Sequence, residues 1–96
     1  MLEITTTHLK ERLAAGEQLV LLDVRQPEEY AAGHIPGSVL IPLGELPGRL
    51  AEIEQHRAAE IIVICRSGNR SGQACMFLEM QGFAHPTNMR GGMLAW

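Results

Sequence analysis

The sequence predicts an α/β fold, with a central parallel sheet of about five short strands and helices on both faces. The apolar runs 19–22 and 61–64 are continuous rather than alternating, which is typical of strands covered on both sides. Segments of helical periodicity separate the strand candidates, an order typical of parallel sheets. Because ligands of such sheets bind beyond the carboxyl ends of the strands, we expect the functional residues there.

Length and composition exclude several classes of function and partner. The 96 residues are enough for one domain, spanning 1–96, and the net charge of −3 argues against a nucleic-acid partner. The two cysteines lack metal-ligand spacing, which indicates a reducing compartment and predicts neither a metal site nor a cofactor. The chain shows no signal-like N-terminus or membrane-length apolar run, so we expect a cytoplasmic protein without a membrane partner.

The first elements are a strand and a packing helix. The segment 3–5 is a strand candidate, and Thr6 or Thr7 is expected to cap a helix that runs to about Ala15. Gly16 then ends the helix.

The middle of the chain repeats the strand and helix alternation. The strand 19–22 is followed by a short helix at 27–32, which has proline in its first turn. The segment 33–37 has the composition of a turn and leads into a strand at 38–41. Leucine and isoleucine then recur at helical spacing, which predicts a helix over 44–55.

The last third contains the strand 61–64, a helix at 71–81 and a return to the sheet between 83 and 89. Pro86 has no N–H to donate to a neighbouring strand, so this last strand is expected to be short or to lie at an edge. Cys75 shares a helix face with apolar residues, and we interpret it as a buried hydrophobic side chain.

The segment that follows the strand 61–64 carries the strongest functional signal. A cysteine at a strand-to-helix turn can be surrounded by backbone N–H groups and the positive end of the helix dipole. These groups, with two arginines, favour the thiolate and form a site for an anion. The predicted catalytic residue and its anion-binding loop are Cys65, Arg66, Ser67, Gly68, Asn69, Arg70 and Ser71.

Asp23 and Arg25 lie at the end of a neighbouring strand and are expected to support this loop rather than to react. Arg70 is expected to tie the loop down through a carboxylate such as Asp23, and Arg66 to remain exposed. Glu28 and Glu29 are explained without a functional role, because acidic residues near the positive end of a helix stabilise it.

Four blocks of the sequence, in this order and at this spacing, resemble the single-domain rhodanese family over essentially the whole chain. They are 22–25 with 27–30, 33–38, the loop 65–71 and the terminal segment 91–96. The resemblance implies a rhodanese-like sheet and a sulfurtransferase that forms a persulfide on Cys65. It further implies a small anionic sulfur donor, such as thiosulfate or a persulfide, and a thiol or protein acceptor.

Two alternatives remain open from the sequence. Cysteine-dependent phosphatases also use a thiolate in an anion-binding loop, but they place one residue more between cysteine and arginine than the four found here. A non-enzymatic sulfur carrier or regulatory binding module would use the same loop, so the residues do not separate it from an enzyme.

Overall fold

The computed structural model describes residues 1–96 and contains one five-stranded parallel sheet. Its strands are β1 (Leu2–Thr5), β2 (Val20–Asp23), β3 (Val39–Leu40), β4 (Glu60–Ile64) and β5 (His85–Arg90). They are arranged in the order β1-β5-β4-β2-β3, and all four pairings are parallel. The predicted α/β class is therefore confirmed.

Three α-helices and three 3-10 helices connect the strands. The α-helices are α1 (Thr6–Ala14), α2 (Pro27–Ala32) and α3 (Asn69–Met80). The 3-10 helices cover Leu43–Gly48, Leu50–His56 and Gly92–Ala95. None of these helices has the length and apolar character needed to cross a membrane.

The central strand β4 divides the core into two layers because its side chains alternate between the faces of the sheet. Ile61 and Val63 belong to a cluster with Leu78 of α3, and Ile62 belongs to a cluster with Leu9 of α1. All five side chains are fully buried. Helices therefore cover both faces, and α3 lies on the same face as the Val63 side chain.

Two helix boundaries differ from the sequence prediction. Thr5 rather than Thr6 or Thr7 caps α1, because its extended backbone places its hydroxyl to accept from the N–H of His8 at 3.1 Å. Helix α3 begins at Asn69, two residues before the predicted start, with Gly68 as its cap.

The predicted helix over 44–55 is wrong in type. Two 3-10 helices occupy this segment, and Arg49 separates them with a non-helical φ of −124°. Pro47 lies inside the first one and cannot donate a hydrogen bond, which disfavours a continuous α-helix. Leu46 and Ile53 are nevertheless buried in the core, as their helical spacing indicated.

The last strand is neither short nor at an edge, so this expectation is wrong. β5 has six residues and lies between β1 and β4. Pro86 is paired with Ile61 of β4, whereas the pairing with β1 begins only at Thr87. No residue of β1 is paired with Pro86, so the missing N–H of Pro86 does not cost a hydrogen bond to β1.

Candidate active site

The carboxyl end of β4 places Cys65 at the centre of the candidate site. The residue has no exposed surface. Its Sγ accepts a hydrogen bond from the N–H of Gly68 at 2.9 Å and lies 3.2 Å from the hydroxyl oxygen of Ser71. The chain thus turns back on itself directly after the strand and surrounds the sulfur with polar groups.

Gly68 makes this turn by adopting a φ of +102°, which a residue with a side chain rarely does. The N–H groups of Arg66, Ser67, Asn69 and Arg70 donate to no backbone carbonyl. An anion could therefore bind these N–H groups without breaking a backbone hydrogen bond.

The environment of Cys65 lowers the pKa of its thiol. Burial has the largest single effect and raises the pKa, since it disfavours the charged form. When the thiolate forms, a hydrogen bond from the Ser71 hydroxyl and those from the N–H groups of Ser71, Gly68 and Ser67 stabilise its charge, and together they outweigh burial. The thiolate is thus favoured by hydrogen bonds to its charge.

Arg70 ties the loop to a carboxylate, as expected, but its partner differs from the one predicted. Arg70 does not bind Asp23; it donates two hydrogen bonds, of 2.7 and 2.9 Å, to the carboxylate of Glu29 in α2. Arg66 is exposed, as expected, and forms no ion pair. The positive charge of Arg70 is therefore largely neutralised, and hydrogen bonds rather than arginine charges are the main causes that lower the pKa of Cys65.

Asp23 and Arg25 form a buried ion pair beside the site. The Arg25 guanidinium contacts both Asp23 carboxylate oxygens, with Nη2 at 2.8 Å from Oδ2, and the same nitrogen donates to the carbonyl of Gly33. Neither side chain has a hydrogen bond to the loop 65–71. The pair joins the end of β2 to the turn that follows α2.

Asn88 of β5 is a site residue that the sequence reasoning missed. Its Nδ2 donates to the carbonyl of Gly68 at 3.1 Å, and its Oδ1 accepts a short hydrogen bond from the Ser71 hydroxyl. Cys65, Gly68, Asn88 and Ser71 thus form a closed ring of four contacts. A polar residue inside the strand predicted between 83 and 89 was the only signal in the sequence.

The C-terminal segment forms the back of the loop, and this was also missed. The N–H groups of Met93 and Leu94 donate to the carbonyls of Cys65 and Arg66 at 2.8 and 2.9 Å. A Cβ atom on Gly92 would lie 2.4 Å from the Arg66 carbonyl oxygen, so only glycine allows this approach. The pair of consecutive glycines was the available signal.

Cys75 is a fully buried member of the core, and burial raises the pKa of its thiol to about 12. It forms no disulfide with Cys65. The contrast between the two cysteines is consistent with different roles for them.

Comparison with known proteins agrees with this architecture. A family model described as "Rhodanese-like domain" matches residues 5–96. The chain is 43% identical to a protein named "Sulfurtransferase" from Allochromatium vinosum, over 98% of this chain and 86% of that protein. It is also 43% identical to YrkF from Bacillus subtilis, whose name includes the words "sulfur carrier protein", over 98% of this chain and 50% of that protein.

Among solved structures, the crystal structure of a rhodanese-like domain protein from Staphylococcus aureus superimposes with a TM-score of 0.92 at 35% identity. The superposition covers 100% of this chain and 91% of that one. These similarities extend over nearly all residues and confirm the resemblance that the four sequence blocks indicated. The chain therefore belongs to the rhodanese-like domain family.

Proposed function

We propose that this protein is a sulfurtransferase that carries a sulfane sulfur as a persulfide on Cys65. The observation that carries the proposal is the environment of the Cys65 sulfur, which receives hydrogen bonds from the loop and has a lowered thiol pKa. A thiolate held in this way is a nucleophile at neutral pH. The name of the Allochromatium vinosum relative supports the same activity.

The donor we propose is thiosulfate or another small anionic sulfane compound. The Cys65 thiolate attacks the outer sulfur of thiosulfate, a sulfur–sulfur bond forms on the enzyme, and the original sulfur–sulfur bond breaks to release sulfite with its electron pair. An acceptor thiolate then attacks the terminal sulfur, takes it as a new persulfide and restores the Cys65 thiolate. This double displacement predicts ping-pong kinetics.

The distribution of charge supports an anionic donor. Of the eight Lys and Arg residues, six have a carboxylate or carbonyl partner, and Arg66 and Arg90 have none. Arg66 follows β4 and Arg90 ends the neighbouring strand β5. Two uncompensated positive charges at this end of the sheet attract anions to the loop.

The N–H groups of residues 66–70 are proposed to hold the donor and the persulfide. Once the donor is bound, they stabilise the negative charge on the reacting sulfur atoms. Since Cys65 has no exposed surface, the loop must move outward before a donor reaches the sulfur. Ser67 and Asn69 are exposed at its tip.

A sulfur carrier is the second candidate, favoured by the wording of the YrkF name. A carrier would form the same persulfide but release it only to one protein acceptor, whereas an enzyme would turn over with a small thiol. Both roles fit a reducing compartment such as the cytoplasm, which the two free cysteines support.

The test is intact mass spectrometry after incubation with thiosulfate. We expect the wild type and Cys75→Ser to gain the mass of one sulfur atom, removable by a reducing thiol, and Cys65→Ser to gain nothing. Equal loading of Cys65→Ser would contradict the assignment. Hydrolysis of a simple phosphate ester by the wild type, in place of sulfur loading, would favour the phosphatase alternative.

A further inference from the structure

The ring of contacts around Cys65 contains a conflict over one proton. The Ser71 hydroxyl has a single hydrogen to donate, and two acceptors lie within reach of it. One is the Cys65 sulfur at 3.2 Å and the other is the Oδ1 of Asn88. Donation to one of them therefore excludes donation to the other.

The orientation of the Asn88 amide decides where this hydrogen lies in the structure. The Gly68 carbonyl can only accept, so the atom of Asn88 that contacts it must be Nδ2. This places Oδ1, which has no hydrogen, against the Ser71 hydroxyl. Ser71 therefore donates to Asn88, and the hydrogen shared with Cys65 must come from the thiol.

Ionisation of Cys65 removes that thiol hydrogen. The Ser71 hydroxyl must then rotate toward the thiolate, because two electron-rich atoms would otherwise face each other at hydrogen-bond distance. Rotation leaves Oδ1 of Asn88 without its donor, although the residue is only 5% exposed. A buried acceptor without a partner is unfavourable, so the loss at Asn88 opposes formation of the thiolate.

We propose that Asn88 is a positioning residue that sets the ionisation of Cys65 by competing for the Ser71 hydroxyl hydrogen. Through Nδ2 it also holds the Gly68 turn, whose N–H donates to the sulfur. Asn88 thus acts in two opposite directions: it supports the N–H donor and withholds the hydroxyl donor. The inference concerns the thiol itself and holds whether or not sulfur is transferred.

Other charges near the site do not explain such an effect. The ionisable groups at the loop end of the surrounding elements are Arg66, Arg70 and Cys75 on the loop and α3, Asp23 and Arg25 at β2, Glu29 on α2 and Arg90 on β5. The other ionisable side chains of these elements are Glu28 and Tyr30 on α2, Glu79 in the last turn of α3, and Glu60 and His85, which begin β4 and β5 at the opposite edge of the sheet. The carboxylates of Asp23 and Glu29 are held in ion pairs with arginine. Burial raises the pKa of Cys75 to about 12. The C-terminal 3-10 helix contributes no ionisable side chain.

The test is the pH titration of the Cys65 Cβ chemical shift by NMR in four proteins: wild type, Asn88→Ala, Ser71→Ala and the double variant. Loosening of the Gly68 turn occurs whether or not Ser71 is present, whereas release of the hydroxyl occurs only where Ser71 remains. Asn88→Ala shifts the midpoint of the Cys65 titration by some amount in each background. We expect this shift to be more negative, by about one pH unit, in the protein that retains Ser71 than in the Ser71→Ala protein. If Asn88→Ala shifted the Cys65 midpoint equally with and without Ser71, the proposal would be overturned.

A measurement on the wild type keeps the proposal testable if a variant fails to fold. The side-chain carbonyl signal of Asn88 should shift with the same midpoint as Cys65, because Oδ1 loses its hydrogen-bond donor when the thiolate forms. An Asn88 signal that is constant through the Cys65 titration would contradict the competition. Sulfur loading from thiosulfate is measured separately, so failure of the proposed function would not be confused with failure of this inference.

Discussion

Arg70 and Glu29 join the two helices that lie beside the candidate nucleophile. Both guanidinium NH2 groups of Arg70 donate to the two Glu29 carboxylate oxygens, and Glu29 Oε1 also accepts from the N–H of Gln26 at 2.9 Å. The Arg70 hydrogen bonds are the main cause that lowers the pKa of Glu29 to about 2. The first turn of α3 is thereby fixed to the first turn of α2.

Glu29→Gln is expected to destabilise the protein by about 1 kcal/mol at neutral pH, a small value because the pair is partly exposed and screened by solvent. A folded-state pKa below the ordinary 4.5 means that the stabilisation is present above this value and is lost as pH falls toward about 2. The difference in unfolding free energy between wild type and Glu29→Gln should shrink over this range. Denaturant unfolding at several pH values measures it.

Glu28→Gln is the matched control, since Glu28 is adjacent, exposed and without an ion pair. It should leave the unfolding free energy nearly unchanged. If the two variants behaved alike at every pH, the Glu29–Arg70 pair would not contribute to stability in solution.

Gly92→Ala is expected to lower both stability and persulfide formation. The added Cβ would lie 2.4 Å from the Arg66 carbonyl oxygen and 2.6 Å from that of Cys65, at a φ of +61° that disfavours alanine. We expect a loss of about 1–3 kcal/mol in unfolding free energy. Denaturant unfolding and the rate of sulfur loading from thiosulfate measure the two effects.

The control for this substitution is Gly44→Ala, because a Cβ on Gly44 would meet no atom within 4 Å. Gly44→Ala should be neutral or slightly stabilising. A Gly92→Ala protein as stable and as active as Gly44→Ala would show that the C-terminal segment does not hold the loop in solution.

Arg66→Gln and Arg90→Gln are each expected to slow sulfur loading from thiosulfate by roughly 2–10-fold at low ionic strength. The effect should diminish as salt is added, because exposed charges are screened. Intact mass spectrometry of samples quenched at successive times gives the rate of sulfur loading at each salt concentration. Arg49→Gln is the control, since Arg49 is already paired with Glu45 and Glu52; an equal slowing in this variant would contradict a local role for Arg66 and Arg90.

Local patterns predicted most of the elements because they depend on neighbouring residues. Continuous apolar runs located β2 and β4, and a proline with following acids located α2. The error at 44–55 has a local cause in Pro47, whereas the error at β5 arose because distant residues decide the outcome. Pro86 is accommodated in an internal strand only because β1 begins its pairing one residue later.

The sequence alone determined the α/β class, the position of Cys65 at the end of a buried strand and the distinction between Cys65 and the core residue Cys75. These follow from periodicity and from local turn chemistry. Only the tertiary structure decided which groups meet around the sulfur: Glu29 as the partner of Arg70, Asn88 as the partner of Ser71 and Gly92 against the loop backbone. The reason is physical, because side-chain pairing across 17 to 41 residues depends on how strands and helices are placed in space.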